Sequence, residues 1–191
     1  MKFDLIIVGV GGQGVILASD IIGRSAVKEG MPVRSAETHG MAQRGGSVEN
    51  HIRIGINFGP LIPEGDADAL LGFEPVEAIR CSHLLSRDGI AIINTERIIP
   101  VSVSSGAFTY PDVESLFKEV KKVFRNVITL NATKIAKKAG DVMTANTVML
   151  GVLARYLPIK EKTIIETIKE SVPKRLLEAN LKAFELGKGL I

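Results

Sequence analysis

The chain opens with an apolar run that stops at a glycine-rich turn. Phe3 to Gly9 is mostly aliphatic and β-branched, which is typical of a strand buried on both faces of a parallel sheet. The turn reads Gly9-Val10-Gly11-Gly12-Gln13-Gly14 and matches G-x-G-x-x-G. Residues 12–29 then carry a broad apolar helical face and end at Gly30-Met31-Pro32. A strand, a glycine turn and a helix in this order predict the first unit of a Rossmann-like α/β fold.

Strands and helices continue to alternate up to about residue 131. Further strands are predicted at 33–37, 47–54, 67–73, 90–94 and 127–130. Helices are predicted from Glu74-Pro75 onward and at 113–124, 145–156, 161–171 and 176–187. No strand is predicted beyond Thr133. We therefore expect one domain, 1–191, with a mostly parallel sheet in an α/β core (1–131) and a helical extension (132–191). The extension could pack on the core, pair with a second copy as a homodimer, or dock onto a partner.

Composition excludes several functions. With no Trp and two Tyr, the chain lacks the stacking side chains of a single-stranded nucleic-acid binder, and its basic residues follow helix faces. Its apolar runs are shorter than a membrane span, and no secretory signal is recognised. We expect a cytoplasmic protein that binds neither nucleic acid nor membranes.

Cysteine content limits redox chemistry. Cys81 is the single cysteine, whereas an iron–sulfur cluster or structural zinc needs about four ligands. Metal-based redox chemistry is therefore expected on another chain. The motifs G-x-S-x-G, Walker lysine and H-E-x-x-H are also missing from the sequence.

The glycine turn could bind a phosphate. Gly9 permits a tight turn, Gly11 lets a ligand approach the backbone, and Gly14 lets the helix pack on the strand. The free N–H groups of the helix start would face an anion. The acidic residue expected about 20 positions later is represented only by Glu37, slightly late. A turn needed only for packing is the alternative.

A second glycine-rich segment reads Thr38-His39-Gly40-Met41-Ala42-Gln43-Arg44-Gly45-Gly46. A lone arginine among glycines suits bidentate binding of a carboxylate or phosphate. His39 could act as an acid, a base or a metal ligand, although no His or Cys lies near it at ligand spacing. The alternative is a solvated hairpin loop whose histidine has no chemical role.

Residues 143–151 begin a helix that is apolar nearly all round. Met143 and Met149 are expected to fill the core, and Asp141 or Thr144 to cap the helix. Asn146 is the polar exception.

Four segments together resemble the gamma family of 2-oxoacid:ferredoxin oxidoreductases. They are the glycine turn, residues 37–46, Ala67-Asp68-Ala69-Leu70-Leu71-Gly72-Phe73-Glu74-Pro75, and Asn146-Thr147-Val148-Met149-Leu150-Gly151. Within that family the T-H-G-M-A-Q-R-G-G loop is typical of the indolepyruvate ferredoxin oxidoreductase beta subunits. The similarity spans almost the whole chain.

The resemblance implies an accessory subunit of a complex that converts a 2-oxoacid, coenzyme A and oxidised ferredoxin into an acyl-CoA, carbon dioxide and reduced ferredoxin. Indolepyruvate or another aryl pyruvate is the expected substrate. Thiamine diphosphate, Mg and the iron–sulfur clusters would be carried by a large catalytic subunit, and the chain alone would be inactive. It would help to bind coenzyme A or close the partner's active site.

Candidate cofactor-binding residues are Gly9, Gly11, Gly12, Gln13, Gly14, Thr38, His39, Gln43, Arg44, Gly45 and Asn146. Two other classes stay open from the residues alone: a free-standing NAD(P)-binding Rossmann oxidoreductase and a nucleotide-binding regulatory module. The position of Glu37 and the lack of a Tyr/Lys or His/Asp pair for hydride chemistry count against the first of these.

Overall fold

Six strands form one sheet in the computed structural model, which describes residues 1–39, 46–99, 101–104, 106 and 109–190. The strands are β1 (Phe3–Val10), β2 (Val33–His39), β3 (Ser47–Ile54), β4 (Ala67–Gly72), β5 (Leu85–Asn94) and β6 (Asn126–Leu130). Their order is β2-β3-β1-β4-β5-β6. β1, β4, β5 and β6 are parallel, while β3 is antiparallel to both β1 and β2. The predicted mostly parallel sheet is confirmed.

Helices cover both faces of the sheet. They are α1 (Val15–Lys28), α2 (Pro75–Arg80), α3 (Val101–Ser104), α4 (Val113–Val123), α5 (Ala132–Ala139), α6 (Ala145–Leu153), α7 (Glu161–Ser171) and α8 (Leu177–Lys188). Leu5 and Ile7 of β1 point into a core shared with α1 and α5 to α8. Ile6 and Val8 point into a second core with α2 and α4. The first strand is therefore buried on both faces, as its unbroken apolar run predicts.

The C-terminal helices pack on the α/β core. Phe184 of α8 is fully buried in the same cluster as Leu5. Helices α6 and α8 meet through two glycines: a Cβ on Gly151 would lie 2.2 Å from the Phe184 carbonyl oxygen, and one on Gly187 would lie 2.0 Å from that of Val148. Larger side chains would force the two backbones apart.

Several boundaries differ from the sequence-based prediction. α1 begins at Val15, not at residue 12, because Gly12 and Gly14 have φ values of 102° and 81°, outside the right-handed helical region. β5 begins at Leu85, five residues before the predicted start, since Leu85 pairs with Ala67 across an irregularity in the β4–β5 register. Helix α5 was not predicted.

Candidate functional site

The ends of four parallel strands, the glycine turn and the described ends of the second glycine-rich segment meet at one edge of the sheet. β1, β4, β5 and β6 all end here, and we call it the carboxyl edge. Val10 pairs with Ser47, and His39 pairs with Val48, so both ends of the segment between β2 and β3 lie at this edge. The Gly11 N–H donates to the Gly46 carbonyl oxygen over 2.8 Å. Antiparallel pairing of β3 therefore brings the end of the second segment onto the glycine turn.

Three glycines of the turn are required by its geometry. Gly12 and Gly14 occupy the left-handed region, which side chains rarely adopt. A Cβ on Gly9 would lie 2.8 Å from Gln13 Oε1 and 3.0 Å from Phe73 Cβ. The turn therefore packs tightly on one side, while nothing lies within 4 Å of the position that a Gly12 Cβ would take.

Gln13 bridges two strands. Its Oε1 accepts a hydrogen bond from the Val10 N–H (2.7 Å), and its Nε2 donates to the Phe73 carbonyl oxygen (2.8 Å). The side chain thus ties the end of β1 to the end of β4. This bridge orients the turn, and a direct contact of Gln13 with a ligand stays a prediction.

The first turn of α1 presents free backbone donors. The first hydrogen bond within α1 is donated by the Ala18 N–H to the Gly14 carbonyl oxygen (3.0 Å). No described side chain caps the N–H groups before it. Helix N-terminal N–H groups carry partial positive charge and favour anions.

Asn146 lies against this turn. A Cβ on Gly14 would sit 2.4 Å from Asn146 Nδ2. Asn146 Oδ1 accepts from the Thr147 N–H (2.9 Å), and the Thr147 hydroxyl donates to Asn180 Oδ1 (2.6 Å). Asn146 and Gly14, 132 positions apart in the numbering, are therefore brought together.

Two clefts open beside the turn. The α8 cleft, about 190 Å³, is bounded by Gly14, Leu17, Asn146, Pro173 and Leu176. The β5 cleft, about 160 Å³, reaches the other way, to Phe73, Asn94, Glu96 and Thr133. Gly12, Gln13, Met143 and Asn146 line both.

Asn94 is a residue of the site that sequence reasoning missed. It is buried, donates through Nδ2 to the Phe73 carbonyl oxygen (3.1 Å), and accepts through Oδ1 from the Ala132 N–H (3.0 Å). It therefore joins β4, β5 and the start of α5. A polar residue ending the apolar run 90–94 was the available signal.

Glu74 and Tyr110 form a second buried polar contact at this edge. Glu74 is 2% exposed, caps α2 by accepting from the Glu77 N–H (3.0 Å), and accepts the Tyr110 hydroxyl. Burial and this hydrogen bond raise the pKa of Tyr110. Tyr110 is therefore neutral at physiological pH, and its hydrogen bond to Glu74 holds it against α2.

The other predicted site residues are placed as follows. Thr38 is exposed on β2, with its hydroxyl 3.4 Å from the Glu49 carbonyl oxygen. His39 is the last residue of β2. Gln43, Arg44 and Gly45 lie outside the described residues, so their roles stay predictions.

Glu37 lies on β2, with β3 between β2 and β1. Two strand spacings put roughly 10 Å between the backbones of β1 and β2. In a dinucleotide-binding fold the acidic residue follows the strand beside β1. Glu37 is therefore poorly placed for a ribose bound at the glycine turn.

Two expectations around α6 need correction. Met149 is buried as predicted, but Met143 is 67% exposed, because it lies in the 3-10 turn Val142–Thr144 before the helix. Asp141 caps that turn by accepting from the Met143 N–H (2.9 Å). Thr144 does not cap α6, since its hydroxyl donates back to the Asp141 carbonyl oxygen (2.7 Å).

Cys81 is unsuited to metal binding or nucleophilic chemistry. It is 3% exposed, and its thiol donates to Glu49 Oε2 (3.3 Å). Burial and the Glu49 carboxylate raise the pKa of Cys81 to about 12.

Glu49 Oε1 also contacts His51 Nε2 (2.8 Å). Burial of Glu49 opposes its ionisation, but the hydrogen bonds from His51 and Cys81 outweigh burial and lower the pKa of Glu49.

The described residues include no group of three or more His, Cys, Asp or Glu arranged to hold a metal ion. Nor does any helix in this part of the chain have the length and apolar character needed to cross a membrane.

The fold and the carboxyl edge define an α/β protein with a glycine-turn site at the ends of its parallel strands. A family model for pyruvate ferredoxin/flavodoxin oxidoreductase matches residues 4–190. The chain therefore belongs to this family.

The curated relatives are named as subunits of oxidoreductases. The indolepyruvate oxidoreductase subunit IorB of Archaeoglobus fulgidus is 45% identical over 98% of this chain and 94% of the relative. The corresponding subunit of Thermococcus kodakarensis is 40% identical over 97% and 94%. A pyruvate/ketoisovalerate oxidoreductase common subunit gamma from the same organism is 29% identical over 93% and 90%.

Solved structures show the same fold. The gamma subunit of a keto/oxoacid ferredoxin oxidoreductase from Geobacter sulfurreducens aligns with a TM-score of 0.70 at 22% identity, covering 97% of this chain and 95% of the other. The chain is thus an accessory subunit of a 2-oxoacid:ferredoxin oxidoreductase complex.

Proposed function

We propose that the complex oxidises indolepyruvate or another aryl pyruvate. The observation that supports this proposal is the difference in similarity between two sets of relatives. Four relatives named as indolepyruvate oxidoreductase subunits are 40–45% identical over at least 97% of the chain. Relatives named for pyruvate, ketoisovalerate or 2-oxoglutarate are 27–29% identical.

In the proposed reaction, the bond between the carboxylate carbon and C2 of the 2-oxoacid breaks and carbon dioxide leaves. C2 then becomes bonded to the sulfur of coenzyme A. The two electrons released reduce two oxidised ferredoxin clusters, one electron each, and one proton is released. The products are an acyl-CoA, carbon dioxide and reduced ferredoxin.

The cysteine content of this chain does not fit an iron–sulfur cluster. Its single cysteine is a buried thiol that donates to Glu49, which is the opposite of an exposed thiolate ligand. We therefore propose that a large catalytic subunit holds the iron–sulfur clusters, thiamine diphosphate and Mg. Ferredoxin would dock on that assembly.

The proposed contribution of this chain is its carboxyl edge. The glycine turn, held by Gln13 and by the Gly11–Gly46 hydrogen bond, offers backbone donors at the start of α1. We assign this edge to the path by which coenzyme A reaches the catalytic subunit. The whole chain, 1–191, would act as one domain, since both strand-rich and helical parts share one core.

Co-expression with the proposed large catalytic subunit tests the proposal. The assay is reduction of a viologen dye under anaerobic conditions with coenzyme A and each of four acids: indolepyruvate, phenylpyruvate, pyruvate and 2-oxoglutarate. We expect the two aryl acids to give the highest kcat/KM and the isolated chain to give no turnover. Preference for pyruvate or 2-oxoglutarate would refute the substrate, and turnover by the chain alone would refute the division of roles.

A further inference from the structure

One side of α1 carries exposed apolar side chains. Ile16 and Val27 are 55% and 61% exposed, and Asp20 and Gly23 lie between them in the helix. Steps of four, three and four residues place these four positions on one side, over about 17 Å of helix length. We call them the α1 stripe. Apolar side chains that stay exposed along one side of a helix mark a surface for association.

A groove of about 500 Å³ lies between α1 and the edge of the sheet. It is lined by Val33 and Ser35 of β2, which is the last strand on this side of the sheet. A Cβ on Gly23 would have only the Val33 side chain within 4 Å, at 3.9 Å, so the helix leaves space there. Lys28 and Glu37 add one charge of each sign to the lining. The stripe and the groove together form a surface of the size that a packed helix occupies.

Asp20 keeps room for a second cation. Its side chain is 48% exposed, and its Oδ2 lies 3.4 Å from Arg24 Nη1, which is long for an ion pair within a helix. The Arg24 guanidinium is also held from α7, because it donates to Glu170 Oε2 and Ser171 Oγ at 3.0 Å each. The α1 stripe therefore offers a half-exposed carboxylate one turn before a half-exposed guanidinium.

We propose that the α1 stripe binds α1 of a second copy of this chain, with the two helices antiparallel about a two-fold axis. When the axis is level with residues 21–22, Ile16 of each copy lies opposite Val27 of the other, and Asp20 lies opposite Arg24. Apolar ends then pair with apolar ends, and two opposite-charge pairs form between them. The surface is complementary to itself, as a two-fold interface requires.

The charges also fix the register of the two helices. An axis at residue 20 would set Asp20 against Asp20 of the second copy, and an axis at residue 24 would set Arg24 against Arg24. Like charges in contact across an interface are repulsive and suppress such arrangements. One register therefore satisfies both the apolar and the charged residues of the stripe.

The antiparallel arrangement leaves both carboxyl edges accessible. α1 begins directly after the glycine turn and is 14 residues long. The two glycine turns therefore lie at opposite ends of the helix pair, about 20 Å apart. The inference goes beyond the proposed function and does not depend on it, since association through α1 requires neither coenzyme A nor a catalytic subunit.

Sedimentation equilibrium of the full chain alone, from micromolar to millimolar concentration, tests the interface. We expect a reversible equilibrium between monomer and dimer. Val27→Ser should raise the dissociation constant of the dimer by about tenfold or more, because each dimer buries two copies of this side chain. Val123→Ser is the matched control, since Val123 is 60% exposed on α4, on the other face of the sheet. A chain that stays monomeric throughout, or equal effects of the two variants, would overturn the proposal.

Asp20→Arg and Arg24→Asp test the register. Each variant alone sets like charges against each other at both contacts and should be monomeric. In a mixture of the two, the arginines of one variant face the aspartates of the other, so the dimer should return as a heterodimer. Its return would also show that both variants are folded.

Glu119→Arg and Lys122→Asp are the matched controls for charge, since they make the same changes in an exposed ion pair on α4. Each control variant should form the dimer by itself, as the wild type does. A mixture of Asp20→Arg and Arg24→Asp that stays monomeric, or control variants that lose the dimer alone, would refute the contact between Asp20 and Arg24 of the two copies and with it the proposed pairing.

Discussion

Gln13 holds the carbonyl of Phe73, 60 positions away, through a 2.8 Å hydrogen bond, and the same side chain accepts the Val10 N–H. One amide thus closes the glycine turn against the end of β4. A Cβ at position 9 would lie too close to the Gln13 amide oxygen, so only glycine fits there.

Replacing Gln13 by Met should destabilise the turn while keeping its volume. Two hydrogen bonds are lost and two backbone groups lose their partners, so we expect the free energy of unfolding to fall by about 1–3 kcal/mol. In the assembled complex, the KM for coenzyme A should rise more than kcat falls, because the turn positions donors without taking part in bond breaking. Urea unfolding and steady-state kinetics measure the two effects. A Gln13→Met protein of native stability would contradict the bridging role.

Gly151→Ala should destabilise the chain strongly. Its Cβ would lie 2.2 Å from the Phe184 carbonyl oxygen, and both residues are in helices that cannot move apart without opening the core. Overpacking of this kind costs about 1–3 kcal/mol, sometimes more. Gly59→Ala is the control, since nothing lies within 4 Å of its Cβ position. Equal melting temperatures for the two variants would show that α6 and α8 do not pack as described.

Cys81 should not react with Ellman's reagent in the folded chain at pH 7–9, because its thiol is buried and its pKa is raised to about 12. The folded state keeps the proton that the unfolded thiol loses above pH 9. The stabilisation that Cys81 provides is therefore present below pH 9 and declines as the pH rises from 9 toward 12. The difference in unfolding free energy between wild type and Cys81→Ser, measured across this range, should shrink accordingly. Rapid labelling under native conditions would refute the buried position.

Nicotinamide dinucleotides should bind weakly or not at all. Glu37 is separated from β1 by a whole strand and cannot reach a ribose at the glycine turn. Calorimetry with NAD and NADP is expected to show no micromolar affinity. The Glu37→Ala variant should bind both dinucleotides as weakly as the wild type does. Micromolar binding that Glu37→Ala abolishes would favour a free-standing oxidoreductase.

Arg44→Ala should reduce activity of the complex without unfolding the chain. This prediction rests on the sequence pattern, since Arg44 lies outside the described residues. Loss of a charged hydrogen bond to a desolvated anion should lower kcat/KM for coenzyme A or the 2-oxoacid by about ten- to a hundredfold. Arg44→Lys should recover part of it, because charge is kept and the planar fork is lost. Arg34→Ala on exposed β2 is the control, and equal kinetics for Arg34→Ala and Arg44→Ala would assign no role to Arg44.

Local sequence determined the elements of this fold. The apolar run Phe3–Gly9, the turn glycines and the periodic apolar residues of 161–171 specify their structures through neighbouring residues, so they could be predicted with few errors. The single cysteine likewise excluded an iron–sulfur site from composition alone. Such features depend on backbone sterics and side-chain chemistry within about ten positions of each residue.

Only the tertiary structure decided which elements meet. Insertion of β3 between β1 and β2 depends on pairing between β1 and β3 residues that lie 37 (Val10 and Ser47) to 51 (Phe3 and Ile54) positions apart, and no local pattern encodes it. The same holds for Asn146, whose amide orientation is set by Thr147 and Asn180, and for Asn94, which joins three elements. A polar residue in an apolar run shows that a partner must exist, but the identity of that partner follows from packing in three dimensions.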